Sequence, residues 1–256
     1  MYQIISYIKF LLKATNQHGV HSPFVYNLVT TCFYDKTHYK EYTNLKSYRR
    51  YLLSNSQQLS ITDFGAGSKV FKSNTRLVKD IVKTSGTSLK RAKLLYRLVQ
   101  YFKPKQVLEL GTSLGIATQA MALGNPEATI VSIEGCPEVS SFTSKNLNQQ
   151  ALKHISIKTG RFDDVLPKLD TSTWDLVFFD GHHNKTATLA YFEQLLPKTH
   201  NNTLFILDDI HWSKDMNNAW KAIKTHPKVT VSIDTFFWGL VLFRKEQVKE
   251  DFIIRL

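Results

Sequence analysis

From about residue 88 the chain alternates short apolar runs with segments of helical spacing, and this alternation narrows the accessible folds more than any other feature. "QVLEL" (106–110), "ATIVSIE" (128–134), "HISIKTG" (154–160), "TWDLVFFD" (173–180) and "NTLFILDD" (202–209) read as strands. Between them lie "GIATQAMAL" (115–123), a helix opened by Pro137 and Glu138, the short "FDDVLPKL", and "TATLAYFEQLLP". Nearly continuous apolar strands separated by helices are the pattern of a parallel sheet covered on both faces. The last two strands, "KVTVSID" and "GLVLFRK", are separated only by "TFFW". So short a link cannot hold a helical crossover, and the last strand is therefore expected to pair antiparallel.

With 256 residues, 43% of them hydrophobic, the chain can bury a large core. It is read as an α/β domain at 84–256 preceded by a basic, mainly helical extension at 1–83, broken at "NQHGVHSPF" by Gly19 and Pro23. Residues 1–100 carry 16 Lys and Arg against 4 Asp and Glu, whereas 101–256 are balanced at 17 against 17, so the net charge of +12 belongs to the front of the chain. Such a surface suits RNA, another polyanion or an anionic substrate, and equally suits solvated helical faces. In "MYQIISYIKFLLK", Ile4, Ile5, Ile8, Leu11 and Leu12 follow helical spacing, which predicts a helix laid on the body of the protein, with weak membrane-surface attachment as a lesser alternative. Lys9 inside that run argues against a signal peptide, and no apolar run reaches the roughly 18 residues of a membrane span. Cys32 and Cys136 form no metal or disulfide pattern, which fits a reducing cytoplasm.

Two glycine stretches compete for a nucleotide: "ITDFGAGSKV" (61–70) and "VLELGTSLGI" (107–116). A half-site of this kind needs a strand, a glycine turn, a helix N-terminus and, about 20 residues on, an acid for ribose hydroxyls. The second stretch has all four, with Glu134 closing the next strand. The first is followed by "TSGTSLK", with neither strand nor acid, and is expected instead to form either a loop, Asp63 to Ser68, hinged at Gly65 and Gly67 over the site mouth, or an ordinary turn between packed elements.

With Glu109 the turn reads E-x-G-x-x-x-G, which resembles motif I of class I S-adenosylmethionine (SAM)-dependent methyltransferases. "SLKRAKLLYRLVQYFKPKQVLELGTSLGIATQAMA" is similar through its length to the corresponding part of catechol and caffeoyl-CoA O-methyltransferases. The resemblance covers roughly residues 84–245. It implies a Rossmann-like seven-stranded sheet with an antiparallel last strand. It further implies that Glu109, Gly111, Ser113 and Gly115 frame the methionine part of SAM, that Glu134 takes the ribose, and that Gly160, Arg161 and Phe162 border the adenine.

Methyl transfer from a sulfonium is an in-line displacement that needs an aligned acceptor and, for a hydroxyl, a base. "FFDGHHNK" and "LDDIHW", at the ends of the fourth and fifth strands, bring Asp180, His182, His183, Asp208, Asp209, His211 and Trp212. In the resembling metal-dependent enzymes, carboxylates at these places bind Mg²⁺; Asp180 and Asp208-Asp209 match them, with Asp in place of the family's Asn. His183 stands where the family has its basic lysine, which implies Asp180 and His183 as the catalytic pair. The related D-G-x-H methyltransferases are not uniformly metal-dependent. His182, His211 and Trp212, with His18 and His21 from "HGVHSPF", are candidates for the acceptor pocket.

The leading expectation is O-methyl transfer to a small hydroxylated molecule, assisted or not by a divalent cation. The competing readings are an RNA (tRNA) methyltransferase using the basic front, a non-catalytic SAM-binding module, and, least favoured, a nicotinamide dehydrogenase. A homodimer is compatible with the sequence.

Overall fold

The structure, a computed structural model, describes residues 2–62 and 74–256. The segment expected to form a hinged loop or a turn, Asp63 to Ser68, lies outside the described residues. In chain order the helices are α1 (Tyr2–Lys13), α2 (Pro23–Leu28), α3 (Glu41–Ser54), α4 (Val78–Ser85), α5 (Leu89–Phe102), α6 (Ile116–Gly124), α7 (Pro137–Asn148), α8 (Phe162–Val165), α9 (Lys185–Leu195) and α10 (Lys214–Thr225). The strands are β1 (Gln58–Ser60), β2 (Thr75–Leu77), β3 (Gln106–Leu110), β4 (Thr129–Glu134), β5 (Ile155–Thr159), β6 (Leu176–Phe179), β7 (Leu204–Asp208), β8 (Val231–Asp234), β9 (Trp238–Leu242) and β10 (Glu250–Ile253).

The main-sheet strands lie in the order β10-β8-β9-β7-β6 in one part and β3-β4-β5 in the other. By contact density the chain falls into two compact units, residues 35–170 and residues 1–34 with 171–256.

In the unit of residues 35–170, β3, β4 and β5 pair parallel in register, Glu109 opposite Ser132 and Glu134 opposite Thr159. Helix α5 begins where Ser88 Oγ accepts the Arg91 amide at 3.3 Å, a side-chain N-cap, and its buried Leu95, Leu98 and Val99 pack it on α6. Helix α3 buries Leu45 and Leu52 and packs against α4, α5 and α6. A two-stranded antiparallel ribbon, β1 with β2, joins α3 to α4, and neither strand is legible in the sequence because each has only three residues.

In the other unit β6 and β7 run parallel, and β9 pairs antiparallel with both β7 and β8, as the short "TFFW" link requires. Expectation and structure differ at β10, an eighth strand that adds parallel to β8. Its burial pattern is that of an edge, with Glu250 and Asp251 exposed, so it lacks the apolar run that marks the inner strands.

Helix α1 also departs from expectation. It buries only Phe10, while Ile4, Ile5, Ile8, Leu11 and Leu12 remain exposed. The reason is aromatic packing: Phe10 and Tyr7 meet Phe236 at ring distances of 5.5 and 4.8 Å, which turns the aliphatic side outward.

Candidate active site

The glycine turn after β3 is built by backbone geometry. Gly111 has φ 105°, Ser113 φ 48° and Gly115 φ 73°, so the chain passes three times through the left-handed region within five residues. A Cβ on Gly115 would also stand 2.6 Å from Thr143 Cγ2 on α7, so both the torsion and the packing demand glycine. The turn is tied to β4 by the Gly111 and Thr112 amides, which donate to the Ile133 carbonyl at 3.0 and 3.3 Å.

Two carboxylates flank this turn. Glu134 accepts the Ser113 amide at 2.8 Å on Oε2 and the Cys136 amide at 2.9 Å on Oε1. Burial raises its pKa, opposed by the backbone N–H groups of Cys136, Ser113 and Gly135. Glu109 is fully buried. Its Oε2 accepts from Ser132 Oγ at 2.5 Å and Thr118 Oγ1 at 2.6 Å, and Ser132 is in turn 2.5 Å from Thr112 Oγ1. Burial pushes the Glu109 pKa up to about 7, helped by the nearby Glu134 and opposed by the two hydroxyls. Its Oε1 has no hydrogen-bond partner among the described residues. A buried acceptor left unpaired beside a glycine turn fits a ligand that brings a donor, and the α-ammonium of a bound amino acid is one.

The remaining residues expected around the cofactor divide. The Gly160 amide donates to the Glu134 carbonyl at 2.9 Å, which holds the end of β5 to the end of β4. Arg161 is exposed and lies 3.5 Å from Asp163, while Phe162 is buried as the first residue of α8.

Sequence reasoning missed three braces on this site. Tyr48 on α3 is buried and donates its hydroxyl to the Leu114 carbonyl of the glycine turn at 2.8 Å. The Ser60 amide at the end of β1 donates to Glu138 Oε2 at 2.6 Å, and Cys136 Sγ lies 3.2 Å from the Ser60 carbonyl. Ser132 and Thr118, which hold Glu109, were also unforeseen, although the parallel register places Ser132 directly opposite it.

In the other unit, His183 Nε2 lies 3.8 Å from Asp180 Oδ1, both partly buried, after β6. His182 has φ 62° and meets the Tyr191 ring edge-on at 5.8 Å, so the two adjacent histidines take different surroundings. Asn184 caps α9 through the Ala187 amide at 2.9 Å and fixes this turn.

After β7, Asp208 is buried and Asp209 has φ 54°. His211 Nε2 is 2.7 Å from Asp234 Oδ2 and its Nδ1 is 2.8 Å from Asn217 Nδ2. A carboxylate only accepts, so Nε2 carries the proton and Nδ1 accepts from the amide, which leaves neither ring nitrogen available as a base. The ring stacks on Phe236 at 5.2 Å, and Phe236 is held at φ 74°, a conformation a bulky residue rarely adopts. Asp234, Asn217 and Phe236 were not foreseen. Trp212 is half exposed, and His18 and His21 are exposed on either side of Val20.

Asp180, Asp208 and Asp209 were expected as ligands of a divalent cation. Among the described residues no group of three or more His, Cys, Asp or Glu is arranged to hold a metal ion. No chemical step is assigned to a metal.

The parallel strands with an antiparallel β9 form a Rossmann-like fold shared with solved methyltransferase structures. Residues 108–210 match the family model described as a methyltransferase domain. It is 30% identical over 125 residues to the catechol O-methyltransferase of Niastella koreensis, covering 47% of this chain and 56% of the relative. It is 26% identical over 125 residues to the catechol O-methyltransferase of Mycobacterium tuberculosis, covering 48% and 56%. The chain thus spans about half the length of the curated relatives it matches. Among solved structures it is similar to a methyltransferase of Podospora anserina bound to S-adenosylhomocysteine, with a TM-score of 0.60 at 14% identity, covering 88% and 97% of the two chains. The O-methyltransferase of Bacillus cereus, also in complex with S-adenosylhomocysteine, gives 0.57 at 17% identity over 83% and 95%.

No helix among the described residues is long and apolar enough to cross a membrane.

Proposed function

We propose that the protein transfers the methyl group of SAM to an oxygen of a small hydroxylated acceptor. The observation that carries this reading is the pair Glu109 and Glu134 around the Ser113 turn, one acid with an unpaired buried oxygen and the other at the end of the next strand. SAM supplies a methyl group made electrophilic by its sulfonium. Glu109 Oε1 is proposed to accept from the methionine ammonium, Glu134 to accept from the ribose hydroxyls, and Gly160, Arg161 and Phe162 to border the adenine. His183 is proposed to take the proton of the acceptor hydroxyl on Nε2 as the oxygen bonds to the methyl carbon and the carbon–sulfur electron pair returns to sulfur. Asp180, 3.8 Å from that nitrogen, stabilises the resulting imidazolium. The extension 1–83 is proposed to serve the acceptor side, with His18, His21, His182, His211 and Trp212 shaping substrate choice, and the protein to act in the cytoplasm.

The relatives named catechol O-methyltransferase support the acceptor class. Titration calorimetry with SAM, followed by turnover to S-adenosylhomocysteine on a panel of phenols, tests the reading; absence of SAM binding overturns it. Turnover that persists in chelator and is not raised by Mg²⁺ or Mn²⁺ agrees with a metal-independent step, whereas turnover abolished by chelator and restored by either ion assigns a divalent cation to the reaction.

A second reading, RNA as acceptor, is favoured by the 16 basic against 4 acidic residues in 1–100. Salt-sensitive binding of tRNA, with label from methyl-labelled SAM entering RNA rather than small molecules, would establish it instead.

A further inference from the structure

Among the described residues, helix α1 leaves an aliphatic face exposed. Ile4 is 67% exposed, Ile8 52% and Leu12 82%, with Ile5 and Leu11 beside them. At about 3.6 residues per turn these five side chains share one side of the helix, Lys9 and Lys13 line one edge of it, and Phe10 points to the body. The helix is held in this orientation at both ends of its packing. Tyr7 and Phe10 meet Phe236, and beyond the last turn the Thr15 amide donates to the Ile253 carbonyl at 2.8 Å while the Arg255 amide donates to the Thr15 carbonyl at 3.1 Å. Beyond the buried Phe236, Phe237 is 48% exposed and 5.0 Å from it ring to ring.

Contiguous exposed apolar surface of this kind marks an interaction site rather than an ordinary solvent face. Charge selects the occupant. The charged side chains of residues 2–34 are Lys9 and Lys13, and no acid precedes Asp35. A second copy would bring the same lysines to the contact, whereas a lipid surface with anionic headgroups meets aliphatic side chains with acyl chains and lysines with phosphates. Tyrosines suit the headgroup level, and Tyr2 and Tyr7 are both exposed on this helix. We propose that α1, with Phe237, is a peripheral docking surface for an anionic lipid bilayer, the helix lying in the plane of the interface. The proposal is independent of the methyl-transfer reading.

The test is cosedimentation of the full chain with vesicles of phosphatidylcholine alone or mixed with phosphatidylserine. The expected result is binding to the mixed vesicles about tenfold or more tighter than to the neutral ones, as two lysines near an anionic surface provide. High salt and the K9E/K13E variant should reduce it to the neutral level. The I8S/L12S variant changes two exposed side chains, should keep the wild-type melting temperature, and should lose binding to both vesicle types. A wild-type chain that stays in the supernatant with both vesicles overturns the proposal, as does I8S/L12S binding like wild type. Dimerisation in light scattering that I8S/L12S dissolves, without vesicle binding by either protein, also overturns it and assigns the face to a second copy.

Discussion

The hydroxyl of Tyr48 donates to the carbonyl of Leu114 at 2.8 Å, so a residue well outside the matched region of 108–210 holds the glycine turn proposed to bind SAM. Burial raises the pKa of this phenol, so it stays a donor throughout the neutral range. Tyr48→Phe removes the donor, keeps the ring and leaves the carbonyl unpaired, at a cost of about 1–2 kcal/mol. The expected result is a roughly fivefold to thirtyfold rise in the SAM dissociation constant, on the same scale, with kcat at saturating SAM little changed. Calorimetry and steady-state kinetics together check it, and an unchanged affinity removes Tyr48 from the site.

Glu109 links stability to pH. Its folded pKa of about 7 lies above the ordinary 4.5, so its contribution to stability is complete below about pH 4.5 and declines as pH rises through 7. The full decline is on the order of 3 kcal/mol. Glu109→Gln keeps a hydrogen-bonding side chain of similar shape and removes the titration. The stability of the wild type minus that of the variant, from denaturant melts at several pH values, should fall between those limits and be flat above them.

Glu134 accepts the Ser113 and Cys136 amides and is proposed to accept from the ribose hydroxyls as well. Glu134→Gln replaces charge-assisted bonds by neutral ones, and the expected loss of about 1.5–3 kcal/mol corresponds to a tenfold to hundredfold weaker SAM affinity. Calorimetry against S-adenosylhomocysteine gives the same readout without turnover.

His183→Ala should lower kcat by about 10²- to 10⁴-fold, the usual contribution of a general base, and leave the SAM dissociation constant within about twofold. His182→Ala should spare kcat by comparison, since that ring packs on Tyr191. Equal losses from the two variants would mean that the turn, rather than the base, had been disturbed.

Asp234 holds His211 through Oδ2 and the Phe236 amide through Oδ1 at 2.8 Å. Asp234→Ala leaves the partly buried Nε2–H and that amide unpaired, costing about 1–3 kcal/mol. Asp234→Asn, which can still accept at one oxygen, should recover part of that. Thermal melts of the two variants decide the order.

The strands β3, β4, β5, β6, β7, β8 and β9 were legible because each is an apolar run bounded by turn residues, and the direction of β9 followed from the length of "TFFW". The glycine turn and Glu134 were legible for a similar reason, since strand, turn and acid lie within about 30 residues of sequence, one βαβ unit. The ribbon β1 with β2 and the edge strand β10 were not, because three or four residues with half their side chains exposed carry no periodicity to read.

Local sequence determined what depends on neighbours along the chain: strand and helix, the left-handed torsions of Gly111 and Gly115, and the spacing of Glu109 from Glu134. Tertiary structure decided what depends on residues far apart. It set Tyr48 on the Leu114 carbonyl, gave His211 to Asp234 and Asn217, and turned the aliphatic side of α1 outward because Phe10 and Tyr7 found Phe236. A periodic pattern shows that a helix has an apolar face, but which side is buried is fixed by the packing partner, and in α1 that partner is aromatic and more than two hundred residues away.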